Sequence, residues 1–119
     1  GYDPRQDIDS QDEEVHLWIR RPFHTASKPI DKQRTVLFGH TPTMNLNTSF
    51  GVKNWGEPWF SKVQLSDGRS ASIGLDTCLF HDEEKPARLS AFNLQTLEVQ
   101  QIDRVEPWDS ESIEIASKM

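Results

Sequence analysis

The sequence predicts an α+β chain that is mainly β, on three observations. Short apolar, β-rich runs are bounded by Gly, Pro, Asn and Asp; helical periodicity is scarce; and both ends are polar and acidic. The 119 residues suit one small domain with a modest core. Hydrophobic residues make up 34%, low for a globular protein, while the 27% charged share is ordinary, so the pattern is a folded centre with polar margins.

Residues 1–14 (GYDPRQDIDSQDEE) are acidic and polar and are expected to form a flexible arm that buries too little surface to order itself. Residues 15–102 are expected to form the folded unit. In 15–23 (VHLWIRRPF), Val15, Leu17 and Ile19 alternate as in a strand, yet Leu17, Trp18 and Phe23 also suit a short helix, and Pro22 is expected to end the element. Residues 25–33 are a polar connection. Residues 35–38 (TVLF) form a short apolar run, suited to a strand buried on both faces. That strand discharges into 39–43 (GHTPT), where Gly39 permits a close turn and Pro42 stiffens the exit.

Residues 44–69 are irregular, with Phe50, Trp55, Trp59 and Phe60 set among Gly51, Gly56 and Pro58. Asp67-Gly68 signals a hairpin with residues 60–65 and 71–75 as its arms. Residues 72–77, 87–94 and 98–102 read as strands, the last two joined tightly at Gln95-Thr96, and Leu89, Ala91 and Asn93 share one face. Residues 103–119 form a mostly acidic tail with Trp108 as a candidate anchor. Such an antiparallel unit needs a covering layer. This chain offers little helix to supply it, so a missing domain, a partner chain or a dimer mate is expected to pack against it.

Net charge is −6, which argues against nucleic-acid duplexes and anionic membranes, since both reward clustered Lys and Arg. A phosphorylated substrate remains compatible, because bound cations can outweigh local acidity. No apolar run approaches a membrane span and no signal peptide is evident. The single cysteine, Cys78, excludes an intrachain disulfide and a Cys-rich zinc site, and a cytoplasmic protein is the default expectation. The chain starts at Gly1 rather than Met, which reads as a processed, cloned or cut start.

Four histidines, His16, His24, His40 and His81, carry the candidate chemistry, and no pair has the spacing of a local metal site. His16 reads as a structural or surface residue, His24 as a loop residue and His81 as solvated. His40 stands apart: just beyond a buried strand it is held rigidly, yet it faces the loop side where ligands bind; the plainer reading makes it a hydrogen-bonded structural histidine.

Residues 38–43 (FGHTPT), then 73–77 (IGLDT), then 88–102 (RLSAFNLQTLEVQQI), preceded by 16–23 (HLWIRRPF), resemble the closing part of calcineurin-like metallophosphoesterases. The nearest branch is that of bacterial-type serine/threonine protein phosphatases and symmetrical diadenosine tetraphosphatases. The resemblance implies the C-terminal part of a four-layer αββα sandwich, incomplete on its own. It also implies two divalent metals, Mn, Fe or Zn, in the complete enzyme, and hydrolysis of a phosphorylated protein or a nucleotide. It makes His40 a metal ligand and Arg20 a phosphate clamp, with Arg21 as the neighbour able to take that role; a guanidinium fork fits phosphate oxygens. Asp76 is expected to orient His40 through its other ring nitrogen; the plainer reading makes it a strand-end residue bonding its own backbone.

Two departures matter. The family's glycine after the Asp-Thr pair is Cys78 here, and Cys78 itself reads as a buried small hydrophobe rather than a nucleophile. The family's N-terminal motifs GDxHG, GDxxDRG and GNHD or GNHE are absent; Asp3, Asp7, Asp9 and Asp12 lie in the wrong context to replace them. One histidine cannot hold two metals, so the chain alone is expected to be inactive and need hold no metal until an N-terminal half or partner chain completes it. The alternative is a non-catalytic interaction module derived from such a phosphatase, with Trp55, Trp59 and Phe60 as its anchors.

Overall fold

The computed structural model describes residues 1–46, 49–52, 56–79 and 87–104. Within them the chain is a small mixed structure of few helices and two small sheets. The ambiguous segment after residue 12 is helical. Helix α1 (Glu13–Trp18) begins after Asp12, with Glu13 and Glu14 in the first turn, where the helix dipole favours negative charge. Six residues give little intrinsic stability, and α1 buries no residue of its own, Leu17 and Trp18 both being exposed. Helix α2 (Arg21–His24) buries Phe23. Pro22, expected to end an element, instead starts this one: in the first turn its missing N–H costs no hydrogen bond.

The expected acidic arm, residues 1–14, lies partly against the fold. Asp3 is buried, and Arg5 Nε and Nη2 donate to its two carboxylate oxygens, both at 2.9 Å. Gln11 clasps Asp3 from the other side, its amide Nε2 donating to the Asp3 carbonyl at 2.9 Å.

The main sheet holds β1 (Val36–Phe38), β2 (Gly51–Val52), β3 (Trp59–Ser61) and β4 (Ser72–Gly74), in the order β1-β4-β3-β2. β3 pairs antiparallel with both β2 and β4, the second pairing being the one that the Asp67-Gly68 turn requires. There Gly68 takes φ +88, a left-handed conformation that suits glycine. β1 and β4 run parallel, with Val36 opposite Ser72 and Phe38 opposite Gly74. β1 is therefore an edge strand and is buried on one face only. Val36 and Phe38 point into the core, whereas Leu37 is 37% exposed, which corrects the expectation of burial on both faces.

The core is Phe23, Val36, Phe38, Leu46 and Trp59, flanked by Tyr2, Ile19, Ile30 and Phe50. Phe38 sits at its centre, edge-on to Phe23 at 5.0 Å and to Trp59 at 6.0 Å between ring centroids. Burying each large side chain is worth about 1.5–3 kcal/mol. Trp59 is thus a core residue rather than an interaction anchor, and Phe60 is half-buried against Phe92. Trp55, His81 and Trp108 lie outside the described residues.

The second sheet is the hairpin β5 (Arg88–Phe92) and β6 (Val99–Asp103). Asn93 closes it, its side-chain oxygen accepting the N–H groups of Gln95 and Thr96 at 2.9 and 3.0 Å. A polar seam ties it to the main body. The Thr77 hydroxyl contacts the Ser90 hydroxyl at 2.6 Å, and Gln101 Nε2 donates to Ser90 Oγ at 2.9 Å and to the Gly56 carbonyl at 2.6 Å. Arg88 adds ion pairs to Glu57 at 2.6 Å and Asp103 at 2.8 Å. The face expected to need cover carries Leu89, Ala91 and Asn93, all exposed; Leu89 lies opposite Ile102, which is 71% exposed.

Candidate functional site

Parallel β1 and β4 end side by side, and the loops leaving their carboxyl ends carry His40 and Asp76. This is the end of a parallel pair where ligands bind in α/β sheets. The Leu75 N–H donates to the Phe38 carbonyl at 2.9 Å and the Thr43 N–H to the Asp76 carbonyl at 2.8 Å, so the two loops are stitched together.

His40 has φ +67. For a non-glycine residue this left-handed backbone costs about 1–2 kcal/mol, and such strain gathers at functional sites. Gly39, expected to supply the close turn, has nothing within 4 Å of where a Cβ would stand. The unusual backbone thus falls one residue later than the sequence suggested. The His40 side chain is exposed and meets the edge of Trp18, ring centroids 5.4 Å apart at 88°.

His40 stands on the ridge between two concavities. One, of about 450 Å³, also takes in His16, Trp18, Arg20, His24 and Phe38. The other, of about 480 Å³, takes in Leu37, Leu75, Asp76, Leu79 and Leu89. Arg20 and His40 therefore line one concavity, while Arg21 lies in the first turn of α2. Arg20 is exposed, and its Nη1 donates to the Ile19 carbonyl at 3.3 Å. Asp76 shares the second concavity with His40, but its Oδ1 accepts the Cys78 N–H at 3.2 Å. Among the described residues no hydrogen bond joins Asp76 to the His40 ring.

His24 is the residue that sequence reasoning passed over. Its ring lies between Phe23 at 5.4 Å and Phe38 at 5.2 Å. Burial, then the positive charge of Arg20, pushes its pKa down to about 4, so it is neutral at pH 7. The sequence offers one signal, the adjacent Phe23, but the Phe38 contact arises only on folding. His16, read as structural or surface, is exposed and tilts against Tyr2 at 4.9 Å.

Cys78 is fully buried and has φ +71. The position where the resemblance calls for glycine thus has the backbone that favours glycine. Among the described residues no group of three or more His, Cys, Asp and Glu side chains could hold a metal ion. His40 is a single donor, and these residues do not by themselves fit a dinuclear metal centre. No helix among them is long and apolar enough to cross a membrane. Comparison with protein-family models, with curated proteins and with solved structures gave no match.

Proposed function

We propose that this chain is the C-terminal portion of a calcineurin-like metallophosphoesterase and contributes His40 to a metal site whose other ligands come from an N-terminal half. One observation carries the reading: an exposed imidazole on a left-handed residue, held past the end of a parallel strand pair and open to two concavities. Left-handed non-glycine backbone gathers at functional sites, which supports a ligand-binding role for His40.

Two features lend support. Cys78 adopts the backbone expected of the family's glycine. The apolar residues Leu37, Leu89 and Ile102 lie exposed on β1 and the hairpin, consistent with a piece of a larger αββα sandwich whose covering layers lie elsewhere. In the complete enzyme Arg20 steadies the phosphoryl group and Asp76 shapes the loop beside His40; the substrate is a phosphorylated protein or a nucleotide. The alternative of an interaction module loses its central anchor, since Trp59 is 1% exposed.

The test is to sequence the coding DNA upstream of Gly1, express the continuous frame and assay an aryl phosphate with Mn²⁺. The expected result is an upstream segment with the aspartate-rich motifs and activity that His40→Ala abolishes without unfolding the protein. An upstream frame lacking those motifs, or an active His40→Ala variant, overturns the proposal.

A further inference from the structure

At the opposite, amino-terminal ends of β1 and β4 lies another open concavity, of about 450 Å³. Its floor is Phe60, Ile73, Phe92, Leu94 and Leu97. Leu94 is 69% exposed and Leu97 54% exposed, both at the tip of the β5–β6 hairpin. The charged side chains lining it are both cationic, Arg34 and Arg69, in a chain whose net charge is −6.

The two guanidinium groups are held in place. Arg34 donates through Nε and Nη2 to Asp31 Oδ2 at 3.1 and 2.8 Å. Arg69 donates through Nε to Asp67 Oδ2 and through Nη2 to the Gln33 carbonyl, both at 2.7 Å. Each fork keeps Nη1 without a hydrogen bond among the described residues, so an oriented donor remains at each position. Each guanidinium already shares its charge with a carboxylate, Asp31 with a side chain 15% exposed and Asp67 with one 54% exposed, so what it offers a ligand is the remaining Nη1 donor. Fixing the forks beforehand removes part of the entropy cost of binding.

We propose that this groove binds an acidic peptide segment with large apolar side chains, which rest on the Phe60–Phe92–Leu94–Leu97 floor while its carboxylates accept from Arg34 and Arg69. An extended peptide fits better than an acyl chain, because small apolar ligands bury most of their surface in an enclosed pocket and this site is an open groove. Two separate cationic positions also match two carboxylates of one peptide better than a single acid group.

The experiment titrates the full chain into a short fluorescein-labelled peptide of alternating Glu and Leu or Phe, followed by anisotropy at low and high salt. The expected result is saturable binding that weakens with salt. Affinity falls about tenfold or more in the double variant Arg34→Gln/Arg69→Gln, and a comparable loss is expected in Leu94→Ser/Leu97→Ser. The same peptide with Lys for Glu is expected not to bind. Should either variant unfold, amide shifts of the wild-type chain decide: changes confined to residues 33–35, 69–73 and 92–97 support the site, and changes elsewhere overturn it. Equal binding of the Lys peptide, or no binding, also overturns it. So does decanoate competing more strongly than the peptide, or self-association that Leu94→Ser/Leu97→Ser abolishes, which would give the groove to an acyl chain or to a second copy.

Discussion

Mild acid is expected to destabilise this fold through His24. The ring is half-buried between Phe23 and Phe38, and its pKa falls from 6.5 to about 4, first through desolvation and then through the charge of Arg20. In the folded state the imidazole stays neutral down to that lower value, while in the unfolded chain it takes a proton below about 6.5. Between the two the unfolded state binds more protons, so stability is full above the upper value and falls as pH drops, by at most about 1.4 kcal/mol per pH unit. The whole interval corresponds to about 3 kcal/mol, and solvent screening of a partly exposed ring beside an exposed arginine reduces this to about 1–2 kcal/mol. Carboxylates act lower down. Arg34 holds Asp31 at about 2, so its contribution is lost only below the unfolded value of 3.8. Urea unfolding of the wild type and of His24→Phe, from pH 7 to pH 4.5, isolates the effect. The wild type is expected to lose about 1–2 kcal/mol more than the variant over this range, and Arg20→Gln to lie between them. A variant with the full wild-type slope, or a His24 ring proton titrating near 6.5 by NMR, would refute the reasoning.

Three further outcomes follow from the geometry. At the left-handed His40, glycine relieves backbone strain but loosens the unfolded chain, so His40→Gly is expected to stay within about 1 kcal/mol of wild type in thermal unfolding, while β-branched His40→Val costs about 2 kcal/mol. At the buried left-handed Cys78 the contrast is larger: Cys78→Gly is nearly neutral in the same assay and Cys78→Val costs about 3 kcal/mol through strain and overpacking. Arg88→Ala breaks the links to Glu57 and Asp103 and is expected to cost about 1–2 kcal/mol, with hydrogen exchange accelerating first in β5 and β6.

The elements that could be read from the sequence are those specified locally. The apolar run at 36–38, the Asp67-Gly68 turn and the period-2 alternation of 88–92 need only neighbours in the chain, and each forms the predicted strand or turn. The helices were not legible, because residues 13–24 carry both periods and α1 is too short for propensity to choose. Nor was the pairing of β1 with β4, a non-local contact that depends on β3 and β2 occupying the far side. At the site, position gave His40 from the strand before it, but its backbone strain had no signal in a non-glycine letter. The depressed pKa of His24 comes from Phe38 and Arg20, brought together by packing alone.

Asp76 shows how a residue can sit in the right place and act by a different route. One reading has it orient the His40 ring through its carboxylate, and the plainer one makes it a strand-end residue bonding its own backbone. Its Oδ1 accepts from the Cys78 N–H, the local bond of the plainer reading, and its backbone oxygen accepts from Thr43, in the loop that carries His40. One residue thus ties together two of the three turns that hold left-handed, non-glycine backbones among the described residues, the third being that of Leu97; such backbones persist where their surroundings over-determine them. If this clasp is its role, the charge is dispensable and the acceptor is not. Asp76→Asn keeps both acceptors and is expected to leave thermal stability and the His40 ring resonances as in wild type. Asp76→Ala loses the Oδ1 bond, costs about 1 kcal/mol, and broadens the His40 and Cys78 amide signals together. Were the carboxylate acting on the imidazole through its charge, Asn and Ala would shift the His40 ring alike and leave the Cys78 amide sharp, and the clasp would be the wrong account.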